Sequence, residues 1–164
     1  MPDILSLDDI AAIATQTAHA DPAAAYRAID ALAQRLFGHR LFTVTRSLHE
    51  TKEVERVYSS NLTAYPIGGR KQKQDTDWGT TVLDKGEVMI CHNEADIRRT
   101  FSDHELILSL GITCLINVPV LFAGRSVATM NISHATDRFG PADIPALKLL
   151  AACLLPLILS GKTG

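Results

Sequence analysis

The feature that most constrains this chain is a pair of alternating apolar runs, Thr113 to Phe122 and Ser126 to His134, joined at Ala123-Gly124-Arg125. A link this short can pair two strands only antiparallel, because a parallel partner needs a crossover of roughly a dozen residues. The spacing therefore predicts a hairpin. A second period-two segment starts at Leu41, where Phe42 and Val44 alternate with Thr43 and Thr45. Past His49-Glu50-Thr51-Lys52 a further β-like run covers 53–60, which predicts another hairpin. Pro119 has no N–H to give to a ladder, so it counts against a fully paired central position for the 113–122 strand.

Around these strands the period changes to that of a helix. Ser6 is a candidate N-cap, with Asp8 and Asp9 in the first turn and Ile10, Ile13 and Thr17 on one side. Asp21-Pro22 pairs a cap with proline at the first helical position, and Tyr26, Ile29, Ala33 and Leu36 recur until Gly38. Pro141 opens a last helix in which Ile144, Leu147, Ala151 and Leu155 form a stripe, with Leu150, Leu154 and Ile158 beside it. The capping patterns Asn93-x-x-Asp96 and Ser102-x-x-Glu105 predict two short helices within 94–110. Residues 61–79 read as a long loop holding Pro66, Gly68-Gly69 and the charges Arg70, Lys71, Lys73, Asp75 and Asp77. Val82-Leu83 reads as a helical turn ended by Gly86, and 87–91 as a short strand. This order predicts an α+β domain with an antiparallel sheet, a single unit over 1–164 with a helical extension at 1–20 and a core at 22–159.

Composition removes several classes of function. Sixteen basic against eighteen acidic residues give a net charge of −2, with no basic stripe, so no nucleic-acid partner is expected. The apolar run Leu149 to Leu159 is shorter than the roughly 20 residues of a bilayer span and contains Pro156, so no membrane association is expected. Three aspartates and no Lys or Arg precede Ala18-His19-Ala20, which argues against a secretory signal. Cys91, Cys114 and Cys153 are an odd number without C-x-x-C spacing, which fits free thiols and a cytoplasmic setting. The six histidines lack the spacing of a metal site, and no P-loop, dinucleotide fingerprint or G-x-S-x-G occurs. No metal or cofactor is expected.

Three segments in order carry a resemblance. Trp78-Gly79-Thr80-Thr81-Val82-Leu83-Asp84-Lys85-Gly86-Glu87 precedes an apolar strand. Cys114-Leu115-Ile116-Asn117-Val118-Pro119-Val120 leads through Gly124-Arg125 into Val127 to Ser133. Arg138-Phe139-Gly140-Pro141-Ala142-Asp143 precedes an apolar helix. Over roughly 24–159 this resembles a GAF domain, the small ligand-sensing module of phosphodiesterases, phytochromes and many bacterial regulators. The resemblance implies a central antiparallel sheet with the terminal helices on one face. The other face would carry a small-molecule pocket under the long loop and the short helices.

Strand parity supports a polar face independently, because Thr43 and Thr45 oppose Phe42 and Val44, while Thr129, Asn131 and Ser133 oppose Ala128, Met130 and Ile132. Threonine is also simply a good strand former, so Thr45 and Thr129 fit either role. Asn117 and Asn131 say more. A buried amide without partners costs about 1–3 kcal/mol, so each needs a ligand, a loop backbone or a water. Tyr58, Tyr65 and Trp78 offer an apolar wall with a polar edge. Arg70 and Lys71, after two glycines, could close over an anion, or pair locally with Asp75 and Asp77; Arg46 could supply the same charge. The expected ligand-binding set is thus Thr45, Tyr58, Tyr65, Arg70, Trp78, Asn117, Thr129, Asn131 and Ser133.

The reading that follows is a sensory or regulatory protein binding a small polar metabolite, anionic if Arg70 closes over it, and a homodimer through its terminal helices. Two alternatives stay open. One is an enzyme on the same pocket, hydrolytic or redox in the manner of the free methionine sulfoxide reductases; the other is a ligand-free dimerisation module. The reductase pattern is broken here, since Trp78 stands where that group carries a reactive cysteine and no Cys-Asp pair occurs in 94–110. The cyclic-nucleotide pattern is incomplete, with only Phe139-x-x-x-Asp143 present. Cys91-His92 lacks the flanking motifs of a bilin attachment site.

Overall fold

A computed structural model describes residues 3–72 and 76–164. β5 (Cys114–Phe122) and β6 (Arg125–His134) form the expected hairpin, with Asn117 opposite Asn131. Ala123 and Gly124 turn the chain at φ 49° and 76°. β1 (Leu41–Leu48) lies between β6 and β2 (Glu53–Ser59), and β4 (Met89–Cys91) borders β5. A strand unforeseen in the sequence, β3 (Arg70–Gln72), adds to β2 within the expected loop. The sheet order is β3-β2-β1-β6-β5-β4, antiparallel throughout. Pro119 is accommodated because β4 reaches only to Met89 opposite Asn117, so β5 has no neighbour on that side where the proline stands.

One sheet face is packed by helices. α1 (Leu7–His19) starts in a capping box in which Ser6 and Asp9 serve each other's backbone N–H. α2 (Pro22–Phe37) is capped by the Asp21 carboxylate and stopped at Gly38, whose φ of 66° favours glycine. They join α5 (Ile144–Ala152) and α6 (Leu155–Leu159) over Phe42, Val44, Ile116, Val118, Met130 and Ile132, all fully buried. The expected single last helix is broken at Cys153–Leu154, because Pro156 cannot donate an N–H to the Ala152 carbonyl. With the 3-10 turn Pro141–Asp143, the helical stretch Pro141–Leu159 spans 19 residues at a mean hydropathy of 1.9. By length and composition it could cross a bilayer, which corrects the shorter span read from the apolar run alone. Its Leu147, Leu150 and Leu154 are buried in the core.

The other face is covered differently. α3 (Glu94–Thr100) is capped by Asn93, whose side chain accepts from the Asp96 N–H. α4 (His104–Ser109) does not use the predicted Ser102 cap; Asp103 stands at its N-cap without a capping bond, its carboxylate turned to other partners described below. A π-helical turn, Gly79–Asp84, follows Trp78. A second, smaller apolar cluster of Leu41, Tyr65, Cys91, Ile97, Ile107, Ile112 and Leu115 joins this cover to the sheet. Lys73 and Asp75, read as part of the loop's charge balance, lie outside the described residues.

Candidate functional site

Alternation along the strands decides what the cover encloses. Odd-numbered residues of β1, β5 and β6 turn away from the helices, so Leu41, Thr43, Thr45, Leu115, Asn117, Asn131 and Ser133 share one surface. Between it and the cover lies a cavity of about 280 Å³. Ile107 and Ile112 complete an apolar end with Leu41 and Leu115, and Trp78, Thr76, Phe101 and Ser102 close the rim. A pocket of this kind, mostly apolar with a few placed polar groups, is the usual form of a small-molecule site.

A polar row crosses the floor. Asn117, Asn131 and Thr43 stand directly opposite one another on adjacent strands. The Asn117 Nδ2 donates to Asn131 Oδ1 at 2.7 Å, and Asn131 Nδ2 donates to Thr43 Oγ1 at 3.2 Å. The asparagines therefore satisfy each other in large part, and the buried Asn117 Oδ1 is left without a partner. Thr45 Oγ1 is likewise buried and unpartnered.

The remaining wall depends on one irregularity. Opposite β1, the register shifts between Val44 and Thr45, so that Val44 faces Tyr58 while Thr45 faces Arg56. Val57 is the extra residue of a β-bulge, and its insertion sends Arg56 to the cavity and Tyr58 to the helices. The Arg56 guanidinium lies 4.6 Å from the centroid of the Tyr65 ring, and its Nη1 donates to the Pro66 carbonyl at 3.0 Å. The Arg56 N–H bonds the Gly69 carbonyl and the Gly68 N–H the Arg56 carbonyl, so the glycine turn is strapped to β2. A Cβ on Gly69 would sit 2.7 Å from Arg56 Nη1, so glycine makes room for the guanidinium. Burial pushes the Arg56 pKa down, against the pull of Tyr65 and Asp103; Nε is buried and has no partner.

Asp103 closes the cluster. It accepts from the Tyr65 hydroxyl at 2.9 Å and lies 2.8 Å from Lys71 Nζ. Burial alone would raise the Asp103 pKa, but Lys71 and then Tyr65 outweigh it and hold the carboxyl below its ordinary value. The Tyr65 phenol is pushed up, by burial first and then by the Asp103 charge.

Of the residues picked from the sequence, Thr45, Tyr65, Trp78, Asn117, Asn131 and Ser133 line the cavity. Tyr58 does not: it stacks on Tyr26 at 5.5 Å and donates to Asp30 at 2.6 Å on the helix side. Arg70 points to Glu53 and Glu55, 3.6 Å from each, outside the cavity, while its neighbour Lys71 enters it opposite Val54. Thr129 shares the face of the floor, opposite Thr45 and Pro119, but is fully buried and does not line the cavity. Arg46 is held by Glu55 at 2.7 Å and by the Gly161 carbonyl. Arg56 and Asp103 were missed. The available signal for Arg56 is plain alternation: Val54 and Arg56, two apart on β2, share the cavity side, and only beyond the bulge does Tyr58 cross to the side of Val57. The thiols have no place in the wall: Cys91 and Cys114 are buried, Cys153 is half-buried, and burial raises the pKa of each. None of the three lines the cavity.

Comparison with known proteins adds the following. A sequence model of the GAF domain matches residues 5–154. A search of curated proteins finds no match. Among solved structures, the chain is similar to the GAF domain of a phosphoenolpyruvate-protein phosphotransferase from Acinetobacter, with a TM-score of 0.73 and 15% identity, covering 94% of this chain and 93% of that one. The GAF domain of a phosphoenolpyruvate-protein phosphotransferase from Coxiella burnetii gives a TM-score of 0.74 at 12% identity, covering 94% and 92%. The GAF domain of a two-component sensor histidine kinase from Bacillus halodurans gives 0.66 at 14% identity, covering 97% and 100%. At such identities the structural likeness speaks for the fold.

Proposed function

This chain belongs to the GAF domain family, and on that premise we propose that it is a sensory domain whose loop-covered cavity binds a small polar metabolite. The observation that carries the reading is the cavity itself: about 280 Å³, with the buried polar atoms Thr45 Oγ1, Arg56 Nε, Trp78 Nε1 and Asn117 Oδ1 around it lacking any partner among the described residues. A buried polar atom without a partner costs about 1–3 kcal/mol, so a ligand that meets several of them is held by the relief of that cost. Signalling follows from population shift: a ligand that prefers the covered arrangement of 61–72, 76–80 and 94–110 displaces the equilibrium toward it by its differential affinity.

Self-association belongs to the same proposal. Leu149 and Leu159 are about half exposed on α5 and α6, consistent with a homodimer through the terminal helices. Sedimentation at high micromolar concentration tests it; a clean monomer removes it.

A thermal-shift and fluorescence screen of central metabolites against the purified protein tests the ligand reading. Saturable stabilisation by at least one compound, with a change in Trp78 emission, is the expected result. A folded protein indifferent to every polar metabolite, or one whose ligand leaves Trp78 undisturbed, sinks it. The enzyme alternative predicts instead that Cys91→Ser, Cys114→Ser or Cys153→Ser abolishes a turnover while the fold survives.

A further inference from the structure

The cavity contains a cation that no carboxylate among the described residues neutralises. Arg56, Lys71 and Asp103 are the ionised side chains among the described lining residues, and their charges sum to +1. Lys71 and Asp103 answer each other at 2.8 Å, and the second Asp103 oxygen is occupied by Tyr65. Arg56 makes no ion-pair contact with a carboxylate of the described residues. Its Nη1 is spent on Pro66, its face on Tyr65, and Nε–H is left over. A guanidinium does not shed its proton in a protein, so the mismatch cannot be relieved by titration.

The neighbours of Arg56 want the same kind of group. Trp78 Nε1 is a donor only, is buried and has no acceptor among the described residues, and the Thr45 hydroxyl directly across the strand pair from Arg56 is also unspent. Beyond them the cavity turns apolar at Leu41, Ile107, Ile112 and Leu115. Its volume of about 280 Å³ suits a small organic molecule. We infer that the ligand is a small organic monocarboxylate with an apolar body, its carboxylate held by Arg56 with Trp78 and Thr45, its body against the isoleucine and leucine end. This rests on the reading of the cavity as the ligand site. A dianion is disfavoured because Asp103 has already taken the charge of Lys71. Arg70, the cation suggested by the sequence, has no part in it, being paired with Glu53 and Glu55 on the outside.

The test uses four probes of matched size: hexanoate, hexanamide, hexylamine and butyl phosphate. Trp78 is the chain's one tryptophan, so its emission reports occupancy directly. Hexanoate is expected to give a saturable change with a Kd at least about tenfold below those of the other three, the scale of one hydrogen bond to a charged group. Arg56→Gln should remove that preference and Arg70→Gln should keep it. Should Arg56→Gln unfold, Gly69→Ala serves, because its methyl group displaces the guanidinium without removing the charge; it should shrink the preference. Hexanamide, hexylamine or butyl phosphate binding as well as hexanoate overturns the carboxylate inference and leaves the cavity a ligand site. No response to any probe, from a protein folded by circular dichroism, overturns the carboxylate inference, and joined to an empty metabolite screen it overturns the ligand site as well.

Discussion

The two faces of one sheet are built to different rules. On the helix side, even-numbered residues of β1, β5 and β6 meet α1, α2, α5 and α6 with apolar side chains, and the polar atoms that enter are matched. The Tyr58 hydroxyl donates to Asp30, which also bonds His39 at 2.6 Å, and the Tyr26 hydroxyl donates to the Lys162 carbonyl. On the covered side, seven buried side-chain N and O atoms make no hydrogen bond, among the described residues: those of Thr45, Ser47, Arg56, Trp78, Asp103, Asn117 and Thr129. Of these only Asp103 Oδ1 has an ion-pair neighbour, Lys71. Native interiors tolerate few such atoms, so their concentration on one face separates the surface that stabilises the domain from the surface that is held ready for something else.

Core truncation should break the symmetry of that comparison most plainly. Ile132→Ala, in the helix-packed face, should lose about 2–5 kcal/mol in chemical denaturation, whereas Leu115→Ala, which already borders a void, should lose about half as much. Equal losses would mean that the cavity side is packed as tightly as the other. Polar deletions should differ in sign. Tyr58→Phe leaves a charged Asp30 short of a donor and should cost about 1.5–3 kcal/mol. Thr129→Val replaces a buried hydroxyl that has no partner, and should be neutral or stabilise by about 1 kcal/mol. A destabilised Thr129→Val would show that this hydroxyl is satisfied in solution.

Alkaline titration probes both faces at once. The chain has three tyrosines. Tyr26 is pushed to about 12 by burial, and Tyr58 and Tyr65 are pushed higher still, by burial and then by their carboxylate partners. A folded pKa above the unfolded value means that the stabilisation is fully present below about 10 and is lost as pH rises through the folded values. Absorbance at 295 nm should therefore stay flat through pH 10.5 and rise together with unfolding. Early ionisation of one phenol would point to Tyr65 and an open cavity. The smallest effect is acid. Asp103 sits below its ordinary pKa, so its contribution is present above about pH 4 and fades as pH falls through its folded value. Asp103→Asn should flatten the stability profile in that window by a few tenths of a kcal/mol, given partial exposure.

Much of this division could be read from the sequence where alternation was regular. Phe42 and Val44 against Thr43 and Thr45, and Met130 and Ile132 against Asn131 and Ser133, assigned the faces of β1 and β6 correctly. The strand limits and the α2 cap at Asp21-Pro22 followed from the same local chemistry. What failed had non-local causes. The phase of β2 changes at Val57, where an extra residue bulges against β1, so Tyr58 came out on the wrong side and Arg56 went unnoticed. β3 is three polar residues with no strand signature; it exists because β2 offers an open edge. Ser102 lost its capping role because the next residue, Asp103, is drawn to Tyr65 and Lys71, and those lie far away in the chain.

The row from Asn117 through Asn131 to Thr43 has a direction, since each side chain donates to the next toward β1. An amide has a donor edge and an acceptor edge of nearly the same shape, and a hydroxyl can do either. Turning both amides over lets Thr43 donate to Asn131 and Asn131 donate to Asn117 with no backbone shift, giving up only the long 3.5 Å contact from Asn131 Nδ2 to the Thr129 carbonyl. The end of the row then offers an N–H where it had offered an oxygen. The cavity floor thus has two readable polarities, so under the proposed ligand reading one sequence can greet a donating or an accepting substituent, leaving discrimination to the charged wall.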